Sequence, residues 1–270
     1  MISSFLIALR EGLEAFLIIG IIVSYLYKIK ERKYIRHVVF GSLAAIIISI
    51  ALAFILEATL GKLEGRPEQI FEGSVMFLAV AVLTYMIFWM NRQASSIRSD
   101  IEISINKAID KQKIFSLFFL GFISMLREGL ETVLFFRAIS TQSSSRELLI
   151  GGVLGIIVSI VIAVIFFIST VKIKINTFFK VTGILIILIA AGLIAAGVHE
   201  FQEAGILPAI KDHVYDINNI ISGESVLGNI LKSVLGYNPA PSLLETIVYL
   251  VYIILMIFMI RRFFISKKSN

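Results

Sequence analysis

The chain has no cysteine. That excludes disulfides, thiolate metal ligands and thioether-attached haem, and it leaves the redox compartment open. Charge is scarce too: 16% of the 270 residues are charged against 58% hydrophobic, and the mean hydropathy of +0.93 lies far from that of a soluble globular domain. The period-two alternation of a transmembrane barrel is missing, so helices are what can satisfy the backbone in lipid. No low-complexity linker or appended soluble domain is visible. The first apolar stretch lacks the basic start and small-residue cleavage site of a removable signal peptide, so it is expected to stay in the mature chain. A net charge of +6 gives no support for a nucleic-acid partner, because membrane topology accounts for it better.

What is present is a set of long apolar runs. Seven have the ~20-residue length that crosses about 30 Å of hydrocarbon: residues 2–27, 38–60, 70–90, 114–139, 148–171, 178–201 and 243–260. The expected fold is an all-α membrane protein with seven transmembrane helices in a single polytopic domain over residues 1–270. The segments after the first, third and fifth runs, together with the C-terminal tail and Lys180 at the start of the sixth run, hold 17 of the 25 Lys and Arg residues. By the positive-inside rule the N-terminus is then outside and the C-terminus cytoplasmic. Eleven of the 19 acidic residues fall on or near the outer side, which makes an outer face that concentrates cations. Glu64, Glu147, Asp212, Asp216 and Glu224 read as acids that solvate loops.

Two copies of one string, Arg10-Glu11-Gly12-Leu13-Glu14 and Arg127-Glu128-Gly129-Leu130-Glu131, lie inside apolar runs, where each ionised group costs a few kcal/mol. On a helix the two glutamates of a string are about 60° apart, with the arginine about 40° from the second, so all three share a face. Glycine at the third position lets a neighbouring helix approach. Buried Arg–Glu pairs would explain one glutamate per string. The remaining formal charge of −2 near the middle of the membrane requires protons or a bound cation. Glu11, Glu14, Glu128 and Glu131 are therefore the candidate metal ligands, and Arg10 and Arg127 orient them and reduce their repulsion.

The strings also reveal a repeat. They sit in the first and fourth runs, 117 residues apart, so residues 1–91 and 114–203 form two three-helix halves. With an odd number of spans each, the halves are inverted relative to one another, and residues 243–260 stand outside the repeat. Glu57 near the end of the second run, Glu72 at the start of the third, and His199, Glu200 and Glu203 closing the sixth form a candidate outer path for a cation, His199 adding nitrogen to an oxygen set. The small residues Gly183, Ala190, Ala191, Gly192, Ala195, Ala196 and Gly197 read as close helix packing. Within the outer segment 204–242, Val226, Leu227, Ile230, Leu231 and Val234 suggest an amphipathic helical turn lying on the membrane or the bundle.

The paired strings, Glu72-Gly73, and Ala-Gly-Val-His-Glu-Phe-Gln-Glu-Ala-Gly over residues 196–205 resemble the oxidase-dependent iron permeases, the bacterial Efe-type and fungal high-affinity transporters. The resemblance covers all seven runs. It implies iron binding by Glu11, Glu14, Glu128 and Glu131 during translocation, an external N-terminus, and a bacterial cytoplasmic membrane. It also implies a separate extracytoplasmic oxidase or iron-binding partner that hands over ferric iron. Iron is then the transported substrate; no prosthetic cofactor and no catalysis are expected, and membrane lipid is the remaining partner beside that protein. Hard oxygen ligands also suit manganese, magnesium and calcium, so a transporter of another divalent metal is the alternative. A membrane di-metal oxidase fits less well, because carboxylate di-iron enzymes supply Glu-x-x-His pairs and neither string contains histidine. A proton or monovalent-cation channel would need only the carboxylates and a hydrated path.

Overall fold

The computed structural model describes all residues except 61–62, 94–96, 111–113, 142, 169–174, 209–213, 219, 224 and 267–270; Asp212 and Glu224 thus lie outside the described residues. The described residues form nine α-helices and no strand: α1 (Ile2–Lys28), α2 (Ile35–Leu60), α3 (Arg66–Gln93), α4 (Ile97–Asp110), α5 (Ile114–Ser140), α6 (Ser145–Ile168), α7 (Ile175–Glu203), α8 (Val226–Leu235) and α9 (Leu243–Ser266). Five of them, α2, α3, α6, α7 and α9, are long and apolar enough to cross a membrane. The other two long helices, α1 and α5, have 27 residues each, and each carries the three ionisable groups of its string.

Lipid exposure explains why α2, α6 and α9 are so apolar all round. Phe40, Ile47, Phe54 and Ile55 of α2, Leu149, Val153 and Val161 of α6, and Ile254 and Phe258 of α9 are exposed, the pattern expected where the surrounding solvent is hydrocarbon rather than water. The interior is assembled from α3, α5, α7 and one face of α9: Met76, Leu83, Met86, Phe135, Ile186, Leu193 and Met256 form one buried cluster.

Small residues set the helix pairing. Along α1 and α6 the contacts climb in step: a side chain on Gly151 would run into Ser4 and the Met1 carbonyl, one on Gly155 would meet Phe5 and Ala8, and one on Gly12 would meet Ser159. The two helices therefore run parallel. The pair α2 and α5 repeats the arrangement, with Gly41 against the Phe118 carbonyl, Gly121 against Val38, and Gly129 against Ser49. Both pairs present the same local contact, in which a glycine meets the carbonyl of one residue and the amide four residues on: Phe118 and Phe122 for Gly41, Met1 and Phe5 for Gly151. Helices α3 and α7 make a third, antiparallel pair in which Gly73 faces the Phe201 ring and Gly197 faces the Phe77 ring. Those rings stack with centroids 5.4 Å apart and planes 9° apart.

A backbone carbonyl cannot move aside as a side chain can, so these contacts predict stability. Gly41→Val and Gly151→Val are each expected to destabilise the fold by about 1–3 kcal/mol, the usual cost of overpacking. The thermal midpoint of the detergent-purified protein measures this. An unchanged midpoint in both variants would contradict the pairing.

Two segments between the apolar runs are more ordered than the sequence reading made them. The segment after α3 contains helix α4, whose Ile101, Ile105 and Ala108 recur at helical spacing and are buried with Ile22, Leu26, Val38 and Leu117. In the outer segment, α8 has Ser225 as its N-cap, its hydroxyl accepting from the Gly228 amide at 2.9 Å. It ends on Gly236, which adopts the left-handed conformation and rests directly on Gly192 of α7. The amphipathic turn expected there is thus a helix docked on the bundle.

Candidate metal site

Gly12 follows Glu11 by about 100° around α1. With the glycine packed on Ser159 of α6, the carboxylates turn toward α5. The same holds for Gly129 on Ser49 of α2, and the two strings meet. Carboxylate oxygens of Glu11, Glu128 and Glu131 lie within 4.8 Å of one another, the one group of three or more potential metal ligands at such range among the described residues. Arg10, Glu11, Glu14 and Glu128 are buried, at 5% exposure or less.

The arginines serve the two strings unequally. Arg10 Nη1 donates to Glu11 Oε1 at 2.8 Å, and its Nη2 lies 2.9 Å from Glu14 Oε1. Arg127 Nε donates to Glu131 Oε1 at 2.9 Å but stands 3.9 Å from Glu128. The Arg127 guanidinium stacks on the ring of Trp89 from α3, 4.0 Å from its centroid, and its side chain is about one-third exposed. Glu11 Oε2, Glu14 Oε1, both oxygens of Glu128 and Glu131 Oε2 are buried without a hydrogen-bond partner, Glu14 Oε1 having only its ion pair with Arg10. A carboxylate in that position must take up a proton or a cation, since no protein donor offsets its burial. Helix α3 adds Met86, fully buried, whose Sδ accepts from Arg10 Nη1 at 2.8 Å.

The outer residues separate into two places. Glu72 of α3 is bound by Arg137 of α5, Nη2 to Oε1 at 2.9 Å, both side chains about 15% exposed. His199 sits between two carboxylates, its Nε2 3.3 Å from Glu203 Oε1 and its Nδ1 3.1 Å from Glu245 Oε1. His199, Glu200 and Glu245 line a cavity of about 1020 Å³ bounded by α7, α8, α9 and the segment that joins them. Glu57 is exposed in the last turns of α2.

Glu245, buried at 4% exposure, was not among the site residues singled out from sequence. It accepts from Asn238 Nδ2 at 2.9 Å and from the Ser242 amide at 3.3 Å, while its own amide donates to Ser242 Oγ. That reciprocal bonding is a capping box, and Ser242-x-x-Glu245 before an apolar run is its sequence signal. The signal locates the helix start. It gives no hint that His199, 46 residues earlier, is the other partner.

Residues 1–269 match the iron permease FTR1 family. Among curated relatives, the ferrous iron permease EfeU of Yersinia pestis is 33% identical over 272 residues, covering 100% of this chain and 95% of the relative. The Yersinia pseudotuberculosis protein of the same name is 33% identical over 268 residues, with 98% and 93% coverage. That of Escherichia coli O6:K15:H31 is 31% identical over 256 residues, with 94% and 93% coverage. No solved structure matches the chain.

Proposed function

Because this chain belongs to the iron permease FTR1 family, we propose that it is a multi-pass bacterial membrane protein that imports iron through the carboxylates brought together by α1 and α5. The observation that carries this reading is the buried convergence of Glu11, Glu128 and Glu131, four of whose carboxylate oxygens have no hydrogen-bond partner. Such a site is held open for a cation, and it lies within the helices rather than at their ends. The recurrence of the glycine contacts, Gly41 on Phe118 and Phe122 and Gly151 on Met1 and Phe5, supports two inverted three-helix repeats, α1–α3 and α5–α7, with α9 outside them. That makes seven spans with α1 and α5 as the central ones, the N-terminus outside and the C-terminus cytoplasmic.

In this reading iron collects at the outer cavity around His199, Glu200 and Glu203, passes Glu72, and reaches the four glutamates. Arg10 and Arg127 balance part of the charge while no iron is there, and release the carboxylates when it arrives. Two oxidation states are open to the site. Four hard carboxylates favour ferric iron delivered by a separate extracytoplasmic oxidase. The names of the relatives and the thioether of Met86 favour ferrous iron.

Radioactive iron flux into proteoliposomes, with ferrous and ferric iron offered separately, tests the proposal. The wild-type chain is expected to take up iron. The fourfold glutamine variant of Glu11, Glu14, Glu128 and Glu131, inserted and folded, is expected to take up none. Equal uptake by the variant would remove the site assignment.

A further inference from the structure

Among the atoms against the Arg10 guanidinium are Glu11 Oε1 at 2.8 Å, Glu14 Oε1 at 2.9 Å and Met86 Sδ at 2.8 Å. Two carboxylate oxygens and a thioether converge on one positive charge. A methionine used only to fill a gap has no need to direct its sulfur at a charged donor, because its flexible chain can place the sulfur in any neighbouring apolar space. Met86 is at 0% exposure in the middle of the apolar cluster of α3, α5 and α7, and its sulfur nevertheless points to the charged seam. The same three atoms would suit a divalent transition-metal ion, with Arg10 acting as the cation that keeps them together in its absence.

The geometry points to Met86 as a specificity-determining ligand, a thioether that favours ferrous iron over magnesium and calcium at the carboxylate site. This rests on the iron-permease reading above. The need for it follows from the carboxylates themselves. Oxygen-only cages suit magnesium and calcium as well as iron, whereas thioether sulfur suits softer transition-metal ions and is a poor ligand for hard cations. In a cysteine-free chain methionine is the remaining source of a sulfur ligand.

Two measurements on the full-length protein test this, with Met86→Leu as the variant, since a Leu-for-Met exchange conserves volume and is usually tolerated. In proteoliposomes, ferrous uptake by the wild type is expected to resist a large excess of Mg²⁺ or Ca²⁺. Uptake by Met86→Leu is expected to be lower than wild type without competitor and to fall about a further tenfold with it, where wild type holds its rate, the lower end of what changes around a metal's ligands cost in affinity. X-ray absorption of the purified protein loaded with Cd²⁺ is expected to show a sulfur neighbour that Met86→Leu lacks. If Met86 merely held Arg10 in place, the metal's shell would contain no sulfur in either protein, and the inference would be overturned. An unchanged competition profile would overturn it as well. The fourfold glutamine variant separates this from the parent reading: if that variant still transports iron, the carboxylate site falls. If it is dead while Met86→Leu behaves as wild type in both assays, only the thioether assignment falls.

Discussion

Glu128→Gln is expected to reduce iron uptake by at least about 100-fold, the upper end of what loss of an outer-shell partner costs a metal site, while making the metal-free protein more stable. Both effects follow from one fact: both oxygens of Glu128 are buried with no hydrogen-bond partner, and Arg127 stands 3.9 Å away. An isosteric amide removes a carboxyl that the metal-free protein has to keep protonated in a buried place that offers it no hydrogen-bond partner. Relief of that burden is expected to amount to about 1–3 kcal/mol, comparable with replacing other buried ionic groups. Glu14→Gln should differ in kind, because Glu14 is ion-paired with Arg10 at 2.9 Å and its loss leaves the buried guanidinium short of a counter-charge. Its uptake and its stability fall together. Iron flux in proteoliposomes beside thermal unfolding in detergent distinguishes the two patterns. A Glu128→Gln protein that unfolds earlier than wild type would show that Glu128 supports the fold rather than waiting for a ligand.

Arg137→Gln is expected to lower stability by about 3 kcal/mol, the cost of leaving one member of a buried ion pair alone. Arg137 joins α5 to α3 through Glu72 at 2.9 Å and donates to Ser140 Oγ at 2.7 Å, and its Nε is buried without a partner. The double variant Arg137→Gln, Glu72→Gln is expected to recover most of the loss, since two neutral side chains leave no stranded charge. The same pair tests whether Glu72 belongs to the access path. If the double variant recovers stability but transports iron at a small fraction of the wild-type rate, Glu72 touches the ion in passage. Wild-type transport by the double variant would make Glu72 and Arg137 a brace between helices and nothing more.

The strings were legible because their chemistry conflicts with their setting. Six ionisable groups inside apolar runs demand an explanation, and helical spacing alone puts each trio on one face. Partners across helices were not legible. Glu72 could be placed at the outer end of α3, yet nothing in its neighbourhood in sequence indicates Arg137, 65 residues away. Met86 lies within an apolar run and looks like any other core residue until its sulfur is seen on Arg10. Unequal treatment of the strings was hidden for the same reason: the sequences are identical, and what differs is that Trp89 of α3 draws Arg127 aside. The amphipathic period of α4 was readable at Ile101, Ile105 and Ala108, but a charged stretch between apolar runs carries no sign of whether it has a surface to pack on.

The parallel pairings of α1 with α6 and of α2 with α5 bear on how the chain is made. On the seven-span reading proposed above, ribosomes deliver α1, α2 and α3 to the membrane before α5 and α6 exist, so Gly12 and Gly41 wait without the neighbours they are shaped for. The first half is therefore a dependent intermediate, stored in lipid until the second half inserts between its helices, and a truncated product of residues 1–110 should be recognised and degraded rather than accumulate. On the inverted-repeat reading proposed above, a single three-helix unit with this surface would have had to associate with an oppositely inserted copy of itself, and fusing two such copies into one gene would guarantee their equal supply.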